Sequence, residues 1–285
     1  MQINNLFKGI LIIIATLFLS GCFVLNKYIY TDKELALHYK DEKVKPVYKK
    51  IKFLDNNMHY AVISKNDSLP LLVLIHGAPG AWYGYMNLMD DTLLQQKYKL
   101  IAIDRLGYGK SNYGKAQTST QIQALAIKEI IDQENLSGKK IVLLGRSYGA
   151  PMAAWLSIHY PQKVDKLFMI SPVLDPQNEK FYWFSSIGKW KPVQWLLPKM
   201  LNVATKEKYS HQAEMKLMLP EWKKLYTPTY VITGAKDNIA DTCNYSFAKA
   251  HINNCPSVFL KLQNTGHLVT YEQPELIRNL LLQKL

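Results

Sequence analysis

The chain repeats short, unbroken apolar runs bounded by turn-forming residues, and this pattern restricts its fold more than any other feature. Leu71-Leu72-Val73-Leu74-Ile75 stands between Pro70 and Gly77. A strand that is apolar at every position has to be covered on both faces, as strands of a parallel sheet are. Similar runs recur at Leu100-Ile101-Ala102-Ile103, Ile141-Val142-Leu143-Leu144, Leu167-Phe168-Met169-Ile170, Tyr230-Val231-Ile232 and Val258-Phe259-Leu260. Helical patterns lie between them, such as Thr120 to Glu134 with Ile122, Leu125, Ile127, Ile130 and Ile131 apolar. Upstream, Val47 to Leu54 and Met58 to Ser64 flank Asp55-Asn56-Asn57, a hairpin signal. Such alternation predicts a mostly parallel sheet covered by helices. The rhythm breaks between Asp175 and Thr227, a stretch without a buried strand run that holds Phe181-Tyr182-Trp183-Phe184, Trp190, Trp195 and Trp222. An inserted helical cap is expected there, over about 176–227, roofing the site below it.

The N-terminus reads as an export signal. Met1 to Gly9 carries Lys8 as its charged residue and leads into the apolar stretch Ile10 to Leu19. That stretch is shorter than the ~20 residues a membrane span needs, although extending it through Phe23-Val24-Leu25 keeps an N-terminal anchor helix open as an alternative. Its end, Leu19-Ser20-Gly21-Cys22, resembles the lipobox of bacterial lipoproteins. The resemblance implies cleavage of a signal peptide over 1–21, acylation of the Cys22 thiol, and a lipidated tether over 22–46 that holds an exported domain, 47–285, at a membrane. In a cell with two membranes, Phe23 after the cysteine suggests, by the same resemblance, the outer one.

The net charge of +13 would ordinarily raise nucleic acid as a partner. The basic residues are nearly all lysine, however, with arginine at Arg105, Arg146 and Arg278 alone. The planar fork that reads phosphates and bases bidentately is therefore scarce. A scattered lysine coat suits a surface near anionic lipid better, and no nucleic-acid partner is expected. Cys243 and Cys255 remain in an oxidising compartment where a disulfide is permitted but not fixed by spacing. Nothing in the sequence sets an oligomeric state.

The chemistry gathers at strand ends. Gly145-Arg146-Ser147-Tyr148-Gly149 follows one buried run and precedes a helical stretch, Ala150 to His159. This is the strand-turn-helix context in which G-x-S-x-G holds a nucleophilic serine. Such a serine needs a base, and the base an orienting acid, in the chain order Ser, Asp or Glu, His. His267 follows the last strand run as the base. Asp237, after the strand at Tyr230 to Ile232, is the preferred acid, with Asp175 as its rival. His76-Gly77-Ala78-Pro79-Gly80, after the run at Leu71, places small residues where a backbone amide can approach a reacting carbonyl. The amides of Ala78 and Tyr148 are the expected oxyanion donors, and His76 is expected to buttress this loop. No cluster with metal-ligand spacing and no phosphate-cradling loop is present, so no metal or organic cofactor is expected.

Together, His76 to Gly80, Asp104-Arg105-Leu106-Gly107-Tyr108-Gly109-Lys110-Ser111, the Ser147 elbow, Gly234 to Asp237 and Gly266-His267 resemble the α/β-hydrolase fold. The branch includes esterases, epoxide hydrolases, dehalogenases, proline iminopeptidases and carbon–carbon bond hydrolases. The resemblance implies an eight-stranded, mostly parallel sheet flanked by helices, and a serine hydrolase acting on a small molecule. Epoxide hydrolases and dehalogenases carry aspartate at the nucleophile position, from which Ser147 departs. Proline iminopeptidases usually show glycine in place of Ala78 and tryptophan in place of Tyr148. An esterase-like reading on a small or medium, partly apolar substrate is preferred. An aminopeptidase or amidase would need carboxylates for a free amine, for which Glu179, Glu207, Glu214 and Glu221 are available. A non-catalytic binding lipoprotein on a hydrolase scaffold is the reading from another class.

Overall fold

The computed structural model describes residues 29–136, 138–178, 194–195 and 197–283. The signal, Cys22, and the aromatics Phe181 to Phe184 and Trp190 fall outside these residues, as does Glu179. The chain divides into two compact units, residues 1–45 and 46–285. In the first, helix α1 (Asp32–His38) begins with a complete capping box. Thr31 Oγ1 accepts from the Glu34 N–H, and the Glu34 carboxylate accepts from the Thr31 N–H, which satisfies two otherwise orphaned donors. No helix among the described residues is long and apolar enough to cross a membrane.

The second unit is built on one sheet. Strands β1 (Val47–Phe53), β2 (Asn56–Ile63), β3 (Leu71–Ile75), β4 (Lys99–Ile103), β5 (Ile141–Arg146), β6 (Val164–Ile170), β7 (Thr229–Gly234) and β8 (Ser257–Leu262) run in the order β1-β2-β4-β3-β5-β6-β7-β8. β2 pairs antiparallel with β1 and β4, and every pairing from β4 across to β8 is parallel. The sheet is thus mostly parallel, as the apolar runs require. β3 lies at its middle, with Val73 opposite both Ile101 and Leu143. Every residue of β3, β4 and β5 is buried, and each leucine or isoleucine there contributes about 1.5–3 kcal/mol relative to an exposed one.

The hairpin turn differs from expectation. β1 pairs Phe53 with Asn56, so the turn is Leu54-Asp55 and both asparagines belong to β2. Leu54 takes the positive φ of 50° that so tight a reversal needs. The asparagines instead hold a neighbouring loop: Asn56 Oδ1 accepts from Asn112 Nδ2 at 2.6 Å, and Asn112 Oδ1 accepts from the Asn57 N–H.

Helix α2 (Thr120–Glu134) has the bounds its periodicity predicts, with Ser119 Oγ capping the Ile122 N–H. α3 (Gly149–His159) follows β5 and is almost wholly buried. In the region expected to form a cap lies α4 (Lys199–Met218), which buries Val203, Glu207, His211 and Met215, a stripe at four-residue spacing. Of the inserted aromatics among the described residues, Trp222 is buried and Trp195 is 86% exposed. α5 (Cys243–His251) and α6 (Pro274–Leu282) complete the unit. Cys243 and Cys255 are free thiols with different neighbours, Asp241 for the first and Thr229 and Ser257 for the second. Burial, together with the Asp241 and Asp175 carboxylates, pushes the Cys243 thiol up to about 11.

Candidate active site

β5 ends in a turn that the sequence permits only because of its glycines. Ser147 adopts φ 52°, a left-handed conformation that costs an L-residue about 1–2 kcal/mol. A Cβ on Gly145 would lie 2.5 Å from the Gly149 carbonyl oxygen, and one on Gly149 would lie 2.3 Å from that of Ile75. The N-terminus of α3 therefore sits directly against the ends of β3 and β5. The Ser147 N–H continues the sheet by donating to Ile170 O at 2.9 Å, and Ser147 itself is 4% exposed.

The loop after β3 closes on this serine. A Cβ on Gly77 would meet Ser147 Cβ at 2.9 Å and Oγ at 3.5 Å. His76, expected to buttress the loop, is fully buried behind it. Its Nδ1 is 2.7 Å from Gly77 O and its Nε2 accepts from the Arg105 N–H at 3.0 Å. A carbonyl can only accept, so the proton is on Nδ1 and the imidazole is neutral. Burial first, then the Arg105 charge, hold its pKa well below the usual histidine range, and both ring nitrogens are engaged within the protein.

The loops after β7 and β8 bring acid and base together. His267 Nδ1 donates to Asp237 Oδ2 at 2.8 Å, which leaves Nε2 free to take a proton. The other carboxylate oxygen accepts from the N–H groups of Ile239 and Ala240, each at 2.9 Å. The Asp237 side chain is fully buried and that of His267 is 11% exposed. The rival acid, Asp175, is committed to its own loop, accepting from the Gln177 N–H at 2.8 Å and Asn178 Nδ2 at 2.7 Å. The imidazole bond goes to Asp237. A Cβ on Gly234 would lie 2.1 Å from Gly266 O and 2.3 Å from Thr265 O, so the end of β7 touches the backbone of the loop after β8 where Gly234 has no room for a side chain.

Tyr148, next to the nucleophile position, packs against His211 of α4 with ring centroids 4.4 Å apart and the planes tilted by 58°. Sequence reasoning missed a second link from α4. Glu207, considered as a carboxylate for a substrate amine, is buried and makes a bidentate ion pair with Arg105, Oε1 to Nη1 at 2.7 Å and Oε2 to Nη2 at 3.0 Å. Tyr108 Oη and Gln123 Nε2 also donate to it. The other carboxylates are occupied as well: Glu214 accepts from the Thr120 N–H, and Glu221 pairs with Lys224 and lies 3.6 Å from His159. A scarce arginine beside a glycine-rich loop was the signal available for the Arg105 pairing. Among the described residues, no group of three or more His, Cys, Asp or Glu could hold a metal ion.

Comparison with known proteins agrees with this architecture. Residues 70–199 match a family model described as alpha/beta hydrolase fold. Epoxide hydrolase 4 of Mus musculus is 31% identical over 126 residues, covering 44% of this chain and 34% of that protein. Proline iminopeptidase of Lactobacillus helveticus is 27% identical over 124 residues, 43% of this chain and 42% of its own length. The chain thus spans less than half the length of either relative. Among solved structures, a membrane phospholipase A described as a bacterial virulence factor superposes with a TM-score of 0.65 at 19% identity, covering 96% of this chain and 97% of its own, which is a likeness of fold. The chain has the α/β-hydrolase fold.

Proposed function

We propose that the chain is a serine hydrolase working by acyl transfer, with Ser147 as nucleophile, His267 as base and Asp237 as its orienting acid. The observation that carries this reading is the Asp237–His267 hydrogen bond at 2.8 Å, in the loops that follow β7 and β8, combined with a left-handed Ser147 at the end of β5. Ser147 Oγ attacks the substrate carbonyl as His267 Nε2 takes its proton. Asp237 stabilises the resulting imidazolium, and the Ala78 and Tyr148 amides receive the oxyanion. Collapse expels the alcohol, protonated by His267. Water, activated by the same histidine, then releases the carboxylic acid and restores the serine.

The substrate class is a carboxylic ester of small or medium size with an apolar part. Amine recognition finds little support, since Glu207, Glu214 and Glu221 are already bonded within the protein. Anchoring through an acylated Cys22, with export and attachment to a membrane, belongs to the same proposal and is supported by the lipobox resemblance. It is tested by mass spectrometry of the mature N-terminus from cells expressing wild type and Cys22→Ala.

The decisive experiment treats the full chain and Ser147→Ala with a fluorophosphonate, then with aryl esters and aminoacyl arylamides. Labelling and ester turnover confined to the wild type are expected. A folded wild type that neither labels nor turns over would mean a binding protein, and a preference for the arylamides would mean a peptidase.

A further inference from the structure

We propose that Glu207, on α4, is a positioning residue for the oxyanion site, acting through Arg105 on the Gly77–Ala78 peptide. The inference rests on the hydrolase reading above and concerns how its oxyanion donor is aimed. Gly77 O accepts two hydrogen bonds, from His76 Nδ1 at 2.7 Å and from Arg105 Nη2 at 3.1 Å. The peptide joining Gly77 to Ala78 is trans, the cis bond of this loop being the next one, Ala78–Pro79. In a trans peptide the C=O and N–H point in opposite directions. Two donors that draw the Gly77 carbonyl into the interior therefore turn the Ala78 N–H away from it, while the same glycine lies against Ser147. The aim of that N–H is set by groups that never touch a substrate.

Arg105 is fully buried, and its planar guanidinium meets three oxygen acceptor groups, His76 O through Nε at 2.9 Å, Gly77 O and the Glu207 carboxylate, besides Met152 Sδ at 3.7 Å. The fork is rigid, so the bidentate hold on Nη1 and Nη2 fixes where the donor to Gly77 lies. Glu207 is itself fixed by Tyr108 Oη at 2.7 Å and Gln123 Nε2 at 3.2 Å. Apolar residues of similar volume often stabilise a fold as well as a buried ion pair does, so stability alone does not account for this one. The result is a chain of contacts from α4 to the amide expected to hold the oxyanion.

The test uses the full chain as Glu207→Gln and as the double variant Arg105→Met/Glu207→Met, which removes both charges and leaves no buried cation unpaired should the single variant fold poorly. Turnover of p-nitrophenyl butyrate is normalised to Ser147 sites counted by exhaustive fluorophosphonate labelling. A misaimed donor acts on the transition state, so kcat per site should fall ~10–100-fold in the double variant while KM stays within about twofold. The Ki of a trifluoromethyl ketone, which forms the same oxyanion on Ser147, should rise by the factor by which kcat falls. A kcat per site equal to the wild type, or a loss confined to KM, overturns the inference. A crystal structure of the double variant gives a readout independent of turnover. The Gly77–Ala78 peptide should be rotated, and an unrotated peptide overturns the inference even if no ester is hydrolysed. A wild type without Ser147-dependent turnover would instead defeat the hydrolase reading, with the peptide orientation still deciding this one.

Discussion

Arg146 Nη1 donates to Thr270 Oγ1 at 3.1 Å, tying the residue before the nucleophile position to the turn just beyond His267. The guanidinium also reaches Gly84 O at 3.4 Å and lies over the rings of Tyr85 and Tyr271. Tyr271 Oη donates to Gly84 O at 2.9 Å, and Asn87 Nδ2 donates to Thr270 O at 2.6 Å. Elbow, base loop and the segment at 84–87 are thereby held as one piece, although no two of them are neighbours in sequence.

Thr270→Val keeps the shape of the side chain and removes the acceptor that Arg146 uses. A lost buried hydrogen bond to a charged donor should cost about 1.5–3 kcal/mol in urea unfolding. Because the bond joins the serine and histidine loops, kcat should fall severalfold with KM nearly unchanged. A variant with full stability and full kcat would show that the Arg146–Thr270 contact is incidental.

Gly234→Ala should be far more damaging than its size suggests. The added carbon would lie 2.1 Å from a backbone oxygen in the loop that carries His267, and backbone cannot yield as a flexible side-chain tip can. Parting the acid and base loops by about 1 Å should lower kcat by roughly 100-fold, and overpacking should cost about 1–3 kcal/mol. Gly138→Ala is the control: its φ of 62° strains an alanine, but nothing lies within 4 Å. It should lower stability by about 1–2 kcal/mol and leave kcat alone. Equal effects on kcat at the two positions would contradict the loop-contact argument.

What could be read from the sequence was local. The unbroken apolar runs announced the buried strands, and the strand-turn-helix setting of Gly145 to Gly149 announced the elbow, because backbone geometry there depends on residues a few positions away. Pairings made across the fold were not legible. Glu207 sits among Lys206 and Lys208 and reads as an exposed helix face, yet its partner is Arg105, 102 residues upstream. Its place in the stripe Val203, Glu207, His211, Met215 was the periodic signal that this face points inward. The hairpin turn was placed too late because asparagine suits turns, whereas here both asparagines pair in the strand and bind the loop at Asn112.

Asp175 and Asp237 both follow strands at the sheet's carboxyl edge, so only the imidazole's partner separates them. Asp237→Asn would present an amide to His267 Nδ1 and favour the wrong tautomer, a change expected to lower kcat by up to ~10⁴-fold. Asp175→Asn should lower it by less than about threefold, since its bonds run to Gln177 and Asn178. Comparable losses in the two variants, each measured per labelled serine, would reopen the choice of acid.

Glu134 provides a prediction about pH. Burial alone would raise its carboxyl, but hydrogen bonds from Lys49, Lys99 and Tyr60 outweigh burial and hold it below the ordinary carboxylate range. A folded pKa below the unfolded value means that the ionised form is favoured by folding. The contribution is complete above the unfolded value of about 4.3 and is lost as pH falls through the lower folded value. Glu134→Gln takes from the buried Lys99 its buried ionised partner and leaves it only the exposed Asp67 carboxylate, so at pH 7 the variant should melt below the wild type. As pH falls below the unfolded value and through the lower folded one, the wild-type carboxylate is itself protonated, and the gap between the two melting temperatures should close. A gap that stays constant over that fall would mean that the carboxylate contributes shape and hydrogen bonding to the core but no charge-dependent stability.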